Sequence, residues 1–316
     1  PPPPPPTPPS IDRRQRQMCI RDSPGSGCCM IVKCPGESAT IWATWAKEEP
    51  HMSRVLAYLG PSIALSRLVL EPTHNLMAQA RSPREMHHAD LNSDGFGFGW
   101  YAPDDSAAVY RRRSPIWHDH NLADIARSLE SDLWLAAVLH DEGSAGDLPR
   151  GMQPLREDAL LFMHDGPIPG FDQALRTAVL DFSKPDIAHT LAANAPSDLL
   201  FAVLRHLLAS DREADVETAI GHLYELLDEW LPTGSAQANI LISDGERLFV
   251  GRHAVRSDCP TLYYTTDDDA FPDAQVVASE PLTESEFWHV VPEDAILILD
   301  PMQPPELIAL ATMPDT

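Results

Sequence analysis

Few local patterns restrict a fold as strongly as the alternation of glycine and aromatic residues in GFGFGW, residues 95–100. Phe96, Phe98 and Trp100 are separated by single glycines, and successive side chains on a strand point to opposite faces. The segment is therefore predicted to be a strand with one aromatic face and one bare face that lets another backbone approach closely. More strand follows these glycines, so a dinucleotide or phosphate loop fits poorly.

Short apolar runs predict further strands, and two long amphipathic segments predict helices. The strands are expected at residues 55–59, 134–139, 160–164, 239–243, 248–251, 261–265, 275–278 and 295–299. The first of them is expected to end at Gly60-Pro61. Apolar residues recur at three and four positions across residues 216–230, which predicts a helix that Pro232 and Gly234 terminate.

The other helices are expected over residues 197–209 and from near Asn121 and Phe171. Asp244-Gly245 lies between two strand segments, as in a hairpin. Strands and helices are about equally frequent, and the strands pair locally. The pattern predicts an α+β protein with a largely antiparallel sheet.

The charge balance excludes several classes of partner. The 316 residues include 47 acidic and 23 basic ones, for a formal net charge of −24, so the surface repels nucleic acids and anionic membranes. No run of about 18 apolar residues is present that would span a bilayer. Four of the five cysteines lie in the first fifty residues, so the main body lacks a disulfide framework and we expect a cytoplasmic protein.

Composition divides the chain into three parts. Residues 1–51 combine a proline run with a basic patch and clustered cysteines, and they have no periodic apolar pattern, which predicts a disordered or artefactual tail. The stretch RQMCIRDS, residues 16–23, resembles translated sequencing-adapter DNA. Residues 52–300 are predicted to form one domain, and residues 301–316 a solvated C-terminal tail.

Several groups contain residue types that bind metals, but none has a recognised ligand spacing. They are Cys28, Cys29 and Cys34; His87, His88 and Asp90; His118, Asp119 and His120; and Asp267, Asp268 and Asp269. His118 and His120 would share a face on a strand, whereas surface loops hold histidines more commonly. We therefore expect no metal and no cofactor, and we interpret the isolated Cys259 as structural.

Four segments together resemble the class II glutamine amidotransferases, most of all the bacterial group that includes the γ-glutamyl amidohydrolase of ergothioneine biosynthesis. The segments are MSRVLAYLG at 52–60, NSDGFGFGWY at 92–101, FMHDG at 162–166 and ASEPL at 278–282. The resemblance covers nearly all of residues 52–300. It implies the N-terminal-nucleophile fold, in which two sheets lie between two helical layers in the order αββα.

The resemblance also implies catalytic roles for Ser53, Asp165 and Gly166. Removal of the preceding methionine would expose Ser53, whose α-amine acts as the base for its own side chain. The family has cysteine at this position, and a hydroxyl is a poorer nucleophile than a thiol. Asp165 occupies the place of an asparagine that donates to the oxyanion, and an ionised carboxylate only accepts hydrogen bonds. The loss of one such donor costs about 10²- to 10³-fold in rate.

The substrate site implied by the resemblance is altered as well. Its arginine, which holds a substrate carboxylate, is replaced by Leu139, and an acid that binds the substrate ammonium is replaced by Pro196. The substrate-binding residues expected from the aligned motifs are Asn92, Asp94, Gly95, Leu139, His140, His164 and Asp198. For Asn92, Asp94 and Gly95, a turn held by local hydrogen bonds is an equally good interpretation.

These observations leave three functions open. The first is a hydrolase of γ-glutamyl amides, with a small-molecule substrate and impaired glutaminase chemistry. The second is an inactive scaffold or regulatory partner of another enzyme, such as an active paralogue. The third is an amidohydrolase that uses Ser53 on a substrate other than glutamine.

Overall fold

A computed structural model describes residues 53–85, 91–140, 151–169, 173–183, 195–210 and 215–310. The predicted tail at residues 1–51, the residues His87, His88 and Asp90, and residues 311–316 lie outside this range. Within the described ranges, no helix combines the length and the apolar character needed to cross a membrane.

One sheet contains seven antiparallel strands. They are β1 (Arg54–Ala64), β2 (Gly95–Tyr101), β3 (Ala107–Arg112), β4 (Glu130–Leu139), β9 (Tyr263–Thr265), β10 (Gln275–Ala278) and β11 (His289–Val290). Their order across the sheet is β11-β9-β10-β1-β4-β2-β3. β1 is thus the central strand, and it pairs with β4 and β10 on its two sides.

The second sheet contains six antiparallel strands. They are β5 (Leu155–Glu157), β6 (Leu160–Asp165), β7 (Ala236–Ser243), β8 (Leu248–Val255), β12 (Ala295–Asp300) and β13 (Gln303–Ala309). Their order is β13-β12-β8-β7-β6-β5. The hairpin predicted around Asp244-Gly245 is confirmed, because β7 and β8 pair along their whole length.

Helices cover the outer face of each sheet. They are α1 (Ser66–Val69), α2 (Leu76–Arg81), α3 (Leu122–Ser128), α4 (Gln173–Phe182), α5 (Pro196–Ser210) and α6 (Val216–Trp230), with a 3₁₀ turn at Ile116–His118. The side chain of Asp215 accepts a hydrogen bond from the Thr218 N–H and caps α6, as expected for a helix N-terminus.

The period-two pattern of the strands produces three apolar cores. On β1, Leu56 and Tyr58 face α1, α2 and α3, whereas Val55 and Ala57 face the second sheet. Residues of both sheets meet in this inter-sheet layer, and the outer face of the second sheet packs against α4, α5 and α6. The layers therefore follow the order αββα, which confirms the predicted fold class.

Two predicted boundaries are wrong. β1 continues through Gly60-Pro61 to Ala64, because its pairing with β4 resumes at Ile63 after an irregularity in register. Residues 303–309, predicted as part of a solvated tail from residue 301, form β13 and pair with β12. β13 lies at the edge of its sheet, where prolines are tolerated and side chains remain exposed, so its sequence resembles that of a tail.

The segment His118, Asp119 and His120 does not form a strand, in agreement with the favoured interpretation of histidines in a surface loop. His118 ends the 3₁₀ turn, and the carboxylate of Asp119 binds Arg112 at 3.1 Å and the Tyr110 hydroxyl at 2.6 Å. Asp119 is therefore held by protein groups. No cluster of three or more potential metal ligands is present among the described residues.

The bare face predicted for β2 is confirmed, and it yields a test of packing. A methyl group on Gly97 would overlap the carbonyl oxygen of Gln153, whereas one on Gly221 in α6 would lie 3.8 Å from its nearest neighbour. We expect Gly97→Ala to lower the free energy of unfolding by about 1–3 kcal/mol. Gly221→Ala should raise it by about 0.5–1 kcal/mol, since alanine favours helix. Urea unfolding of both variants measures this, and equal effects would contradict the close approach.

Candidate active site

Ser53 and Asp165 come from different sheets and meet in the inter-sheet layer. Ser53 immediately precedes β1 and lies two residues before Val55, so it is on the strand face that points to the second sheet. Asp165 ends β6 two residues after Met163 and is on the face that points to the first sheet. The backbone N–H of Ser53 lies close enough to the Asp165 carboxyl to act on its pKa. Ser53, the predicted nucleophile, and the turn at Asp165-Gly166 are therefore brought together.

The carboxyl of Asp165 is deeply buried and poorly partnered. It is 1% exposed, and neither of its oxygens accepts a hydrogen bond of ordinary geometry in the described part of the structure. Burial raises its pKa from the ordinary 3.8 to about 6, against the opposing effects of Arg54, the Ser53 N–H, the Ser279 hydroxyl and the Gly166 N–H. A carboxylate at this place would also repel the negative charge that develops during acyl transfer.

A buried ion pair anchors the start of β1. The guanidinium of Arg54, fully buried, donates from Nη1 to the Ser53 carbonyl at 2.9 Å, and its Nε lies 3.3 Å from Glu280. Burial acts to raise the pKa of Glu280, but His74 at 2.6 Å, the Arg84 N–H at 2.8 Å and the charge of Arg54 outweigh it and hold that pKa below its ordinary value. The ASEPL segment at 278–282 contains Glu280, but no pattern in the sequence indicated this role.

His164 occupies the opposite face of β6 from Asp165. Its Nε2 lies 3.1 Å from the Gln237 carbonyl, which can only accept, so Nε2 carries the hydrogen and Nδ1 accepts from the Ser197 hydroxyl at 3.2 Å. Burial lowers the pKa of His164 to about 4, so the ring is neutral at pH 7. His164 thus connects the turn after β6 to α5 through Ser197, and its predicted contact with a substrate stays a prediction.

The turn after β6 requires glycine. Gly166 has a φ of +127°, and a Cβ there would overlap the Gln237 carbonyl. The side chain of Gln153 fixes the preceding residue, since its Nε2 donates to the His164 carbonyl at 2.7 Å and its Oε1 accepts from the His164 N–H. No sequence signal identified Gln153, whereas Ser197 could have been inferred from its place beside Asp198.

Leu139 and Gly95 form an apolar wall at the inter-sheet layer. They are paired at adjacent ends of β4 and β2, and Leu139 is 7% exposed in the inter-sheet layer. The bare face of Gly95 is filled by the thioether of Met152, which packs in the same layer. The residue that aligns with a carboxylate-binding arginine is therefore surrounded by apolar atoms.

Three predicted polar residues lie in the loops next to this wall. The Nδ1 of His140 is 3.2 Å from the Asp94 carboxylate and 3.1 Å from the Leu91 carbonyl. Asn92 is fully buried, its backbone N–H donates to the Ala80 carbonyl at 2.9 Å, and its side-chain amide has no hydrogen-bond partner among the described residues. These contacts fit the interpretation that Asp94 belongs to a turn held by local hydrogen bonds. Among the described residues, the side-chain amide of Asn92 takes no part in those hydrogen bonds.

Asp198 lies in the first turn of α5, close to a cation that sequence reasoning missed. Burial lowers the pKa of Arg111, and the Asp198 charge opposes that effect, so the two groups are electrostatically coupled. Arg111 also donates to the Met152 carbonyl at 3.0 Å. The guanidinium of Arg111, on β3, therefore lies next to the backbone of Met152, whose side chain packs against Gly95.

Replacement of Asp165 by Asn is expected to stabilise the full chain above pH 6. A rise in pKa from 3.8 to about 6 means that the folded state resists ionisation. At about 1.4 kcal/mol for each pKa unit, the penalty is about 3 kcal/mol. It is absent below pH 3.8, develops as the pH rises to 6 and remains above that.

The quantity to measure is the difference in unfolding free energy between Asp165→Asn and the parent chain at each pH. This subtraction removes His164, whose lowered pKa makes stability fall as the pH drops from 6.5 to about 4. Asp119→Asn is the control of opposite sign, since the pKa of Asp119 is lowered and its ionised form is stabilising. A pH-independent difference for Asp165→Asn would contradict the raised pKa.

Comparisons with known proteins agree with this geometry. No family model matches the chain. It is 28% identical over 258 residues to the gamma-glutamyl-hercynylcysteine sulfoxide hydrolase of Mycolicibacterium smegmatis, across 79% of this chain and 100% of that protein. It is 24% identical over 294 residues to the probable glutamine amidotransferase DUG3 of Saccharomyces cerevisiae, across 78% of this chain and 82% of the yeast protein.

The fold also matches a solved structure. A glutamine aminotransferase class-II domain protein from Silicibacter pomeroyi superposes with a TM-score of 0.59 at 21% identity, over 82% of this chain and 100% of that one. The resemblance predicted from the four sequence segments is thereby confirmed. The chain has the fold of the class II glutamine amidotransferases and is similar in sequence to γ-glutamyl hydrolases.

Proposed function

We propose that this chain hydrolyses a small-molecule amide with Ser53 as its N-terminal nucleophile and acts weakly on free glutamine. The observation that carries the proposal is the meeting of Ser53 and the Asp165-Gly166 turn in the inter-sheet layer. A nucleophile at the end of a central strand is held rigidly, as acyl transfer requires.

The proposed reaction begins after cleavage of the Met52–Ser53 bond. The freed α-amine accepts the proton of the Ser53 hydroxyl as its oxygen attacks the amide carbon, and the Gly166 N–H stabilises the resulting oxyanion. The amine then passes its proton to the leaving nitrogen as the carbon–nitrogen bond breaks. Water hydrolyses the Ser53 ester, which releases the acid and restores the hydroxyl.

The walls of the site account for weak action on glutamine. Leu139 and Met152 present apolar atoms where the resemblance places a fork for the substrate carboxylate. Pro196 cannot bind an ammonium group. The curated relative's γ-glutamyl substrate makes γ-glutamyl amides the first class to test, followed by amides whose acyl part carries no free amino acid. The cytoplasmic location expected from the sequence stays a prediction.

One observation favours a second function, that of a non-catalytic scaffold or regulatory partner. The carboxyl of Asp165 stands next to the place where negative charge would develop, and only the Gly166 N–H remains as an assigned donor. The loss of one donor already costs about 10²- to 10³-fold in rate. A partner enzyme, such as an active paralogue, is the binding target under this alternative.

Protein expressed from Met52 provides the direct test of the nucleophile. All strands and helices described, together with the three cores, lie within residues 53–310, so this part contains its own folding units. We expect mass spectrometry to show an N-terminal Ser53 that gains one acyl group from a γ-glutamyl acylating probe. Ser53→Ala should gain none, and an unmodified Ser53 across probes of both substrate classes would favour the scaffold.

A second test addresses the substrate wall. Leu139→Arg should lower the KM for glutamine about tenfold or more, because a charge-assisted fork contributes about 1.5–3 kcal/mol. Leu139→Met keeps the volume and apolar character and serves as the matched control. Steady-state glutamine hydrolysis measures the change, and equal KM values for the two variants would show that Leu139 does not line the carboxylate position.

A further inference from the structure

We propose that the freed α-amine of Ser53 binds Asp165 as a buried ammonium–carboxylate pair, which positions the amine and holds the nucleophile in a resting state. The inference rests on the proposed function, because it requires cleavage before Ser53. It starts from one juxtaposition: the buried carboxyl of Asp165, which accepts no hydrogen bond of ordinary geometry among the described residues, lies beside the Ser53 nitrogen.

Among the described residues, no group around Asp165 forms a hydrogen bond of ordinary geometry with its carboxyl. From β1, the charge of Arg54 acts to lower the pKa of Asp165, but the contacts of its guanidinium are with Glu280 at 3.3 Å and with the Ser53 carbonyl at 2.9 Å. The Nη2 of Arg54 has no hydrogen-bond partner among the described residues. From β7, Asn239 lies directly across from Asp165, but its amide nitrogen donates to the Pro260 carbonyl at 3.4 Å.

The remaining elements supply no ion pair either. On β8, the next strand, Arg252 donates to the carbonyls of Pro260 and Val291 at 3.0 and 2.7 Å. The loop after β10 contributes Ser279, whose hydroxyl accepts from the Val55 N–H at 3.0 Å and adds no charge. Within the described residues, no cationic side chain donates a hydrogen bond to the Asp165 carboxyl.

Cleavage before Ser53 changes the nitrogen that faces this carboxyl. A peptide nitrogen carries one hydrogen and no charge, whereas an ammonium carries three hydrogens and a full positive charge. An unpaired buried carboxyl is costly, and an opposite charge at hydrogen-bond distance stabilises its ionised form. The raised pKa of Asp165 in the uncleaved chain, about 6, is the expected property of a site that lacks this partner.

The pair has a direct consequence for the proposed chemistry. An amine held as ammonium has no lone pair and cannot accept the proton of the Ser53 hydroxyl. Acylation therefore requires loss of that proton and increases as the pH rises through the pKa of the paired amine. Asp165 acts here as a positioning residue for the base and not as an oxyanion donor.

A reciprocal titration of the unaltered sequence tests the pair. Aspartate labelled with ¹³C at its carboxyl is followed by NMR in the full chain and in protein expressed from Met52, with Asp165→Asn used to assign the signal. We expect the Asp165 pKa to fall from about 6 in the full chain to below 4 once Ser53 is free. An unchanged value in protein whose mass shows the free Ser53 would overturn the pair.

The amine provides the second readout. Its pKa is measured in protein expressed from Met52 by ¹³C NMR after reductive methylation, and an ordinary α-amine has a value of about 8. We expect a higher value in the parent and a value one to three units lower in Asp165→Asn, which is about a 10- to 1000-fold gain in free amine at pH 7. Asp119→Asn, a buried carboxylate outside this site, should match the parent.

The outcomes separate this inference from the proposed hydrolase. Equal amine pKa values in the parent and Asp165→Asn would overturn the pair even if Ser53 is acylated. A lowered amine pKa in Asp165→Asn without acylation of either protein would support the pair and reject the hydrolase. A third outcome is that acylation of the parent falls above pH 8 while acylation of Asp165→Asn does not. Asp165 would then act as a neutral acid donor, and the resting pair would be overturned.

Discussion

The buried ion pair between Arg54 and Glu280 fixes the start of β1, where the candidate nucleophile Ser53 precedes the strand. Arg54 lies at the start of the central strand, and Glu280 lies just beyond the end of β10. Reciprocal hydrogen bonds between Val55 and Ser279, each of 3.0 Å, extend the same contact along the backbone. Without this anchor the first residue of β1 would fray, as strand ends do, and Ser53 would not be held against the turn after β6.

The charges at this anchor are distributed unequally. Glu280 is in contact with His74, the Arg84 N–H and Arg54, whereas of these groups only Arg54 acts on Asp165, through its charge. Buried carboxylates are stable when they are paired and hydrogen-bonded, so Glu280 is ionised and Asp165 resists ionisation. The pKa of Glu280 is thus below its ordinary value and the pKa of Asp165 above its own, although the charge of Arg54 acts on both acids.

Local patterns in the sequence were sufficient to predict a strand or a helix wherever the residues of that element alone determine its structure. The glycine face of β2 and the apolar stripe of α6 were predicted because the period of two or of 3.6 is visible in the residues themselves. β13 was missed because an edge strand buries little and its prolines resemble a tail.

The contacts of the site could not be predicted in the same way. Arg54 and Glu280 are separated by more than two hundred residues, and the side chain of Gln153 binds the backbone of His164, so their roles arise only from the tertiary structure. The family motifs identified the strand end and the turn, but not the face of β6 on which His164 lies.

The changes at Ser53 and Asp165 act in the same direction. An asparagine amide both donates and accepts hydrogen bonds, so it can serve an oxyanion and a neighbouring amine, whereas a carboxylate can only accept. Ionised Asp165 therefore cannot donate to an oxyanion, but in the proposed pair it binds the neighbouring amine more strongly than asparagine would. A serine hydroxyl is far less acidic than a cysteine thiol and depends more on a free base to remove its proton. In the proposed pair the carboxylate holds that base as ammonium, so serine and aspartate at these two positions together favour slow acylation that increases with pH.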